Sequence, residues 1–102
     1  MLEKRRLGMD DFKLNKSIAE ALGIYRQEGQ YILDYIGNWN DLMPLVDIYN
    51  ITAIYLEREE WSCNTSSFDD NGNTTVSNYA VNDDLQRAYA ECLLKLLRSK
   101  NA

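Results

Sequence analysis

The sequence predicts one α+β domain in which a short antiparallel β-sheet packs between helices, an α-β-α sandwich with the order helix, strand or arm, helix, strand, strand, helix. Apolar residues recur at helical spacing in three segments. Two runs of β-forming residues flank an Asn-Gly pair, and no β-α-β repeat indicates a parallel sheet. The 102 residues suit one domain, placed at residues 10–100, with residues 1–9 as an N-terminal extension that could be flexible.

The N-terminal part of the domain is expected to contain a helix followed by an aromatic segment. Leu14, Ile18 and Leu22 fall on one stripe and predict a helix over residues 11–22, with acidic residues available to cap its start. Tyr and Ile dominate residues 29–36, which suit a strand or an extended arm.

A second helix is predicted next to Trp39. Leu42 and Leu45 recur behind it at helical spacing, and cap-type side chains flank the tryptophan. Pro44 is tolerated within the first turn, so we expect the helix over about residues 40–49. Trp39 would then lie just outside the helix and pack back on it.

The strands are predicted from alternation and turn residues. Residues 52–63 are expected to form one strand, in which the charged stretch 57–60 marks a strand end or an exposed edge. The polar run 64–73 contains the Asn-Gly pair and predicts a hairpin turn. Residues 74–81 return as an antiparallel strand.

The last helix has the clearest pattern in the chain, beginning near residue 85. Its main apolar stripe consists of Leu85, Ala88, Tyr89, Cys92, Leu93 and Leu96. Acidic residues precede it and basic residues follow near its end, as the helix dipole favours. Leu94 and Leu97 lie off the stripe, so we expect them to face a neighbouring helix or a subunit partner.

The composition excludes several kinds of site. Histidine is absent, which removes Ser-His-Asp and Cys-His nucleophile systems, imidazole bases and His-ligated zinc. The formal net charge of −5 disfavours direct nucleic-acid binding, and no Gly-rich phosphate loop is present. Cys63 and Cys92 lack metal-ligand spacing and are expected to be buried free thiols. We therefore predict no catalytic residues, no metal and no cofactor.

The sequence also predicts where the protein is found. No apolar run approaches the roughly 20 residues that a membrane helix needs. The first residues lack the apolar segment of a secretory signal. We expect a cytoplasmic protein with no membrane contact.

Surplus apolar, aromatic and acidic residues define a candidate interaction surface. Its members are Tyr31, Tyr35, Trp39, Glu57, Glu59, Glu60, Leu94 and Leu97. Such residues suit a protein partner, unidentified, or a second copy of the chain in a homo-oligomer.

Two alternative functions remain open at this point. The net charge and the paired acids suit an acidic inhibitor or nucleic-acid mimic that binds a host nucleic-acid-binding or defence protein. Glu57, Glu59 and Glu60 could instead serve a metal-dependent enzyme that uses only carboxylates.

Three stretches resemble a known family: Leu14-Asn-Lys-Ser-Ile-Ala-Glu-Ala-Leu-Gly23, Trp39-Asn-Asp-Leu-Met-Pro-Leu-Val46 and Ala88-Tyr-Ala-Glu-Cys-Leu-Leu-Lys-Leu-Leu97. With Trp61-Ser-Cys63, they are similar to the small phage and prophage proteins of unknown function that share an α-β-α (phage ABA) sandwich domain. The resemblance covers about residues 12–98.

The resemblance implies an α-β-α fold and the cytoplasm of a bacterial host cell, and it supplies no established catalytic residues. This sequence departs from the family in its polar hairpin, residues 64–73, and in the extension, residues 1–9. The leading hypothesis is a noncatalytic phage-type accessory protein that acts by binding another protein.

Overall fold

The fold is an α+β domain, seen in a computed structural model that describes residues 10–68 and 70–101. In that part of the chain, three helices accompany a three-stranded antiparallel sheet. The elements in chain order are α1 (Asp11–Ala21), α2 (Trp39–Ile48), β1 (Ile51–Leu56), β2 (Glu60–Phe68), β3 (Thr74–Asn82) and α3 (Leu85–Asn101). The predicted class, with an antiparallel sheet packed against helices, is confirmed. The predicted extension, residues 1–9, lies outside the described residues.

Helix α1 forms where its apolar stripe and its cap predict it. The Asp10 side chain accepts a hydrogen bond from the Lys13 backbone N–H at 2.8 Å and so satisfies a free donor of the first turn. Leu14 and Ile18 are buried. The chain leaves the helix through Gly23 at a φ of +80°, a conformation that costs glycine little.

Residues 29–36 were predicted as a strand or an extended arm, and the structure has no strand there. This segment has no regular secondary structure, because no strand lies beside it to pair with its backbone. Side chains hydrogen-bond the backbone of this segment instead. Asn15 Oδ1 accepts from the Ile36 N–H at 3.2 Å, and Gln86 Nε2 donates to the Tyr35 carbonyl at 3.3 Å. These contacts hold the segment against α1 and α3.

Helix α2 begins one residue earlier than predicted. Asn38 is its N-cap and accepts from the Asn40 N–H at 3.0 Å, so Trp39 is the first helical residue rather than a residue outside the helix. Pro44 is therefore the sixth residue, beyond the first turn. The helix loses one backbone hydrogen bond there, on an exposed side.

The charged stretch at residues 57–60 marks a strand end, one of the two alternatives predicted for it, but the strand boundaries around it differ from the prediction. It is mainly the turn between β1 and β2, and the predicted single strand over residues 52–63 is a hairpin with Leu56 opposite Glu60. Arg58 and Glu59 have φ values of +73° and +60°, which close the turn without glycine. The second hairpin, β2 to β3, forms around the Asn-Gly pair, but β2 continues to Phe68, so residues 64–68 of the predicted turn belong to the strand.

Helix α3 is the centre of the domain, because it contacts all three strands as well as α1 and α2. On the sheet, Cys63 and Ala80 are neighbours in register and are buried on the face toward the core. Ile54 and Val81 point to the opposite face and are 57% and 48% exposed. The layer order is therefore sheet, α3, then α1 and α2, so the helices cover one face of the sheet, which does not lie between helices as the predicted sandwich had it.

Candidate interaction surface

The exposed side of α2 borders a groove that we call the α2 groove. Two adjoining hollows of about 320 and 500 Å³ form it. Its lining residues are Trp39, Asn40, Met43, Pro44, Val46, Asp47, Asn50, Ile51, Thr52 and Tyr89. Met43 and Asp47 line both hollows, so the two hollows adjoin along α2, from its first turn to the start of β1.

The sequence of α2 places its exposed groups along one line. Trp39, Met43 and Asp47 are four residues apart, which puts them one above the other on a helix. Leu42 and Val46 point inward and are buried, and this fixes the rotation of the helix. Trp39 and Met43 consequently stay 41% exposed each.

Tyr89 of α3 supports the aromatic end of the groove. Its ring meets the Trp39 ring edge to face, with centroids 6.0 Å apart and an angle of 82° between the planes. Burial, and to a smaller degree the Cys63 thiol, raises the pKa of Tyr89, so this residue is a neutral phenol at physiological pH. It offers a hydrogen bond but no charge.

The opposite end of the groove is formed where α2 leads into β1. Asn50 has a φ of +54° and turns the chain after the helix, a conformation that asparagine tolerates. Ile51 is buried as the floor, while the Thr52 hydroxyl hydrogen-bonds Asn64 at 3.2 and 3.3 Å. The Thr52 hydroxyl at this end is thus already partnered.

Charge in the groove has one sign. Asp47 is the only charged residue among those that line it, and no Lys or Arg side chain is among them. The groove therefore combines apolar walls with a single exposed carboxylate.

The predicted interaction residues do not form one surface. Trp39 lines the groove, whereas Tyr31 is 80% exposed in the segment between α1 and α2 and is not part of it. Tyr35, Leu94 and Leu97 correct the prediction, because they are only 1%, 5% and 4% exposed. The leucines are covered because α3 is central, so helix faces away from its main stripe also meet neighbours within the chain.

The three glutamates lie elsewhere. Glu57 and Glu59 are exposed in the β1–β2 turn, and Glu60 is half-buried as the first residue of β2. The turn follows the end of β1, about 17 Å along the strand from the groove at its start. The three glutamates lie at the end of the sheet where β3 ends and Asp83 follows.

Several other acidic residues stabilise the fold through capping hydrogen bonds and ion pairs. Asp10 caps α1, and Asp84 accepts from the Gln86 N–H at 3.1 Å at the start of α3. Asp11 pairs with the buried Arg87 at 2.7 Å, and Glu91 with the same residue at 3.0 Å. Helix capping and ion pairing thus explain much of the acidic excess at these positions.

The thiols are placed for packing and not for reaction. Cys63 and Cys92 are unpaired and fully buried. Burial is the main cause that raises the pKa of Cys63 to about 12 and that of Cys92 to about 11. Both remain protonated at neutral pH, where a nucleophile would need to be a thiolate. Among residues 10–68 and 70–101, no group of three acidic or cysteine side chains is placed to hold a metal ion.

The sequence contained a signal for part of the groove. Met43 and Asp47 follow Trp39 at helical spacing, so an exposed stripe could have been read from the tryptophan onward. Tyr89 could not have been assigned in this way, because it also belongs to the main apolar stripe of α3. Its place at the groove depends on how α3 packs against α2.

Comparison of the chain with protein-family models, with curated proteins and with solved structures finds no match. The resemblance to phage and prophage proteins therefore stays a prediction. Each helix in the described part of the chain is too short or too polar to cross a bilayer.

Proposed function

We propose that this is a noncatalytic binding protein whose α2 groove accepts an apolar segment of a partner protein that carries a Lys or Arg side chain. One observation carries the proposal: the exposed Trp39 and Met43 side chains and Tyr89 line adjoining hollows whose single charge is Asp47.

The residue types in the groove suit binding. Trp and Tyr are enriched among the residues that dominate protein interfaces, and Met adapts its shape to different apolar partners. The Trp39 ring is held by its edge contact with Tyr89, so it loses little conformational freedom when a partner covers it. These groups would supply most of the binding energy.

The negative charge at the groove favours a partner segment of positive charge. Asp47 lies beside the apolar wall, and the whole chain has a formal charge of −5. A basic partner is therefore attracted during approach, and its cation can pair with Asp47 while its stem lies on Trp39 or Met43. An acidic partner is disfavoured by the same charges.

The size of the groove favours a short segment. Ten residues line it, compared with roughly 20–30 on each side of a standard interface. We expect a transient complex with a dissociation constant of about 1–100 μM.

The test is selection of peptides from a random displayed library on the immobilised protein, followed by calorimetry. We expect selected peptides to combine aromatic or aliphatic residues with Lys or Arg. Trp39→Ala should weaken binding at least tenfold, and Asp47→Asn should reduce both affinity and its salt dependence. Ile48→Ala is the matched control, because Ile48 is 67% exposed on the same helix but does not line the groove. Selected peptides that bind Trp39→Ala as tightly as the native protein would contradict the proposal.

The resemblance to small phage proteins supports a bacterial host cell as the setting of this partner. A phage-type accessory role would place the binding in the cytoplasm. Self-association is the competing use of the groove, and sedimentation of the native protein beside Trp39→Ala distinguishes it, because only a groove-mediated dimer would dissociate in the variant.

An acidic inhibitor of a host nucleic-acid-binding or defence protein is the second candidate. It is favoured by Glu57 and Glu59, which are exposed in one turn at the same sheet end as the exposed Asp83. Competition with DNA for a basic host protein should then be lost when Glu57, Glu59 and Glu60 are changed to Lys, with the fold retained. Undiminished competition by that variant would reject this candidate.

A further inference from the structure

A second cavity lies on the other side of α2, toward the segment that joins α1 and α2. We call it the Tyr35 cavity, and its volume is about 410 Å³. Its lining residues are Leu22, Ile24, Leu33, Tyr35, Asn40, Asp41, Pro44 and Leu45. It meets the α2 groove only at Asn40 and Pro44, and it has its own apolar walls. The volume is within the range of small-molecule sites, about 300–1,000 Å³.

The Tyr35 hydroxyl is the unusual group of this cavity. Tyr35 is 1% exposed, and its hydroxyl oxygen has no hydrogen-bond partner among the described residues. The main chain is held independently, since the Tyr35 carbonyl accepts from Gln86 Nε2 at 3.3 Å. A buried polar atom without a partner is uncommon and costs stability, but this oxygen is closed to solvent, so a ligand in the cavity meets the apolar edge of Tyr35 and not its hydroxyl.

The second polar group is the Asp41 carboxylate, whose position is fixed. Its Oδ2 accepts from the Asp34 N–H at 3.1 Å, and Asp34 Oδ1 in turn accepts from Asn15 Nδ2 at 3.0 Å. Burial first, and the Asp41 charge second, raise the pKa of Tyr35. No Lys or Arg side chain lines the cavity to neutralise it.

We propose that the Tyr35 cavity binds a small apolar molecule that carries a protonated amine. The apolar body would contact Leu22, Leu33 and Leu45, and the ammonium N–H groups would donate to the Asp41 carboxylate. An acid of the same shape is repelled by Asp41, and a neutral alcohol lacks the charge-assisted bond. This ligand is independent of the protein partner proposed for the α2 groove.

The test uses three probes that share an indole ring and differ in their end group: tryptamine, tryptophol and indoleacetate. Titration of each into the isotopically labelled protein is followed by amide NMR and calorimetry. We expect saturable binding of tryptamine, with shifts centred on residues 22–45, at least tenfold tighter than tryptophol, and no binding of indoleacetate.

Asp41→Asn keeps the shape and an acceptor for the Asp34 N–H, so the variant should fold while losing at least tenfold of the tryptamine affinity. Asp47→Asn removes the same charge from the opposite side of α2 and is the matched control, with affinity expected within twofold of native. Equal binding of the three probes, equal loss in both variants, or no binding of tryptamine would each overturn the proposal. None of these results bears on peptide binding at the α2 groove, which Trp39→Ala tests separately.

Discussion

Two helices of the domain, α2 and α3, carry apolar residues on more than one face, and the fold treats those residues differently. On α3, Leu94 and Leu97 are buried with the main stripe because the sheet, α1 and α2 surround the helix. On α2, Leu42 is buried while Trp39 and Met43 remain exposed. Apolar residues beyond one stripe therefore indicate a binding surface only where the chain's own layers leave them uncovered.

The largest effect that tests this difference in burial between α2 and α3 is on the free energy of unfolding. Leu97→Ala should lower the free energy of unfolding by about 2–5 kcal/mol, because it leaves a cavity beside buried neighbours. Ile48→Ala, an equally apolar truncation at a position that is 67% exposed, should change it by less than about 1 kcal/mol. Urea unfolding measures both variants. Similar values for the two would mean that α3 is not more covered than α2.

The second effect is a dependence of the free energy of unfolding on pH, which tests how well the core around α3 excludes water. The pKa of Cys63 is raised from 9.0 to about 12 in the folded protein, so this thiol stays protonated where the unfolded chain ionises. Its contribution is complete below pH 9 and is lost as the pH rises toward 12, at up to about 1.4 kcal/mol per pH unit.

The matched measurement compares native protein with Cys63→Ala by urea unfolding between pH 8 and 11. Because lysines and other groups also titrate there, the difference between the two slopes isolates the thiol. We expect the native protein to lose stability more steeply. Parallel curves would show that Cys63 is accessible to water in the folded state.

A smaller change, of opposite sign, is expected beside α2. Tyr35→Phe removes a buried hydroxyl that has no partner and keeps the ring in place, so the free energy of unfolding should rise by about 1 kcal/mol. Thermal unfolding measures this, and Tyr31→Phe at an 80% exposed position serves as the control without effect. A loss of stability in Tyr35→Phe would show that the hydroxyl is already satisfied.

An effect on stability of similar size is expected at Trp39. Trp39→Ala loses the edge contact with Tyr89 and part of a half-exposed ring, which together stabilise the fold by about 1 kcal/mol. The same change should lower peptide affinity at least tenfold, so binding and stability separate at this position. Calorimetry beside urea unfolding checks the separation. A loss of several kcal/mol in stability would instead place Trp39 in the core.

Local sequence signals predicted the elements whose ends they mark. Asp10 and Gly23 bound α1 as expected, and the apolar stripe of α3 and the hairpin between β2 and β3 were recognisable from spacing and from an Asn-Gly pair. The β1–β2 turn was not, because Arg58 and Glu59 adopt left-handed conformations that their residue types do not announce.

The rest depends on contacts between distant parts of the chain. Tyr35 is held by Gln86, which is 51 residues later, and no local pattern distinguishes it from the exposed Tyr31. Coverage of Leu94 and Leu97 likewise follows from the packing of whole layers around α3. Of the candidate surface, only Trp39 was both predicted and placed in the α2 groove, since exposure is a property of the assembled fold.

The central place of α3 also affects how the protein is synthesised. Every other described element precedes α3 in the chain, and α1 is joined to it by an ion pair between Asp11 and Arg87, 76 residues apart. Until α3 leaves the ribosome, the inward faces of α1, α2 and the sheet lack the helix that they share as a packing partner. The core therefore cannot close, and these faces stay open to chaperones and proteases, until α3 is made.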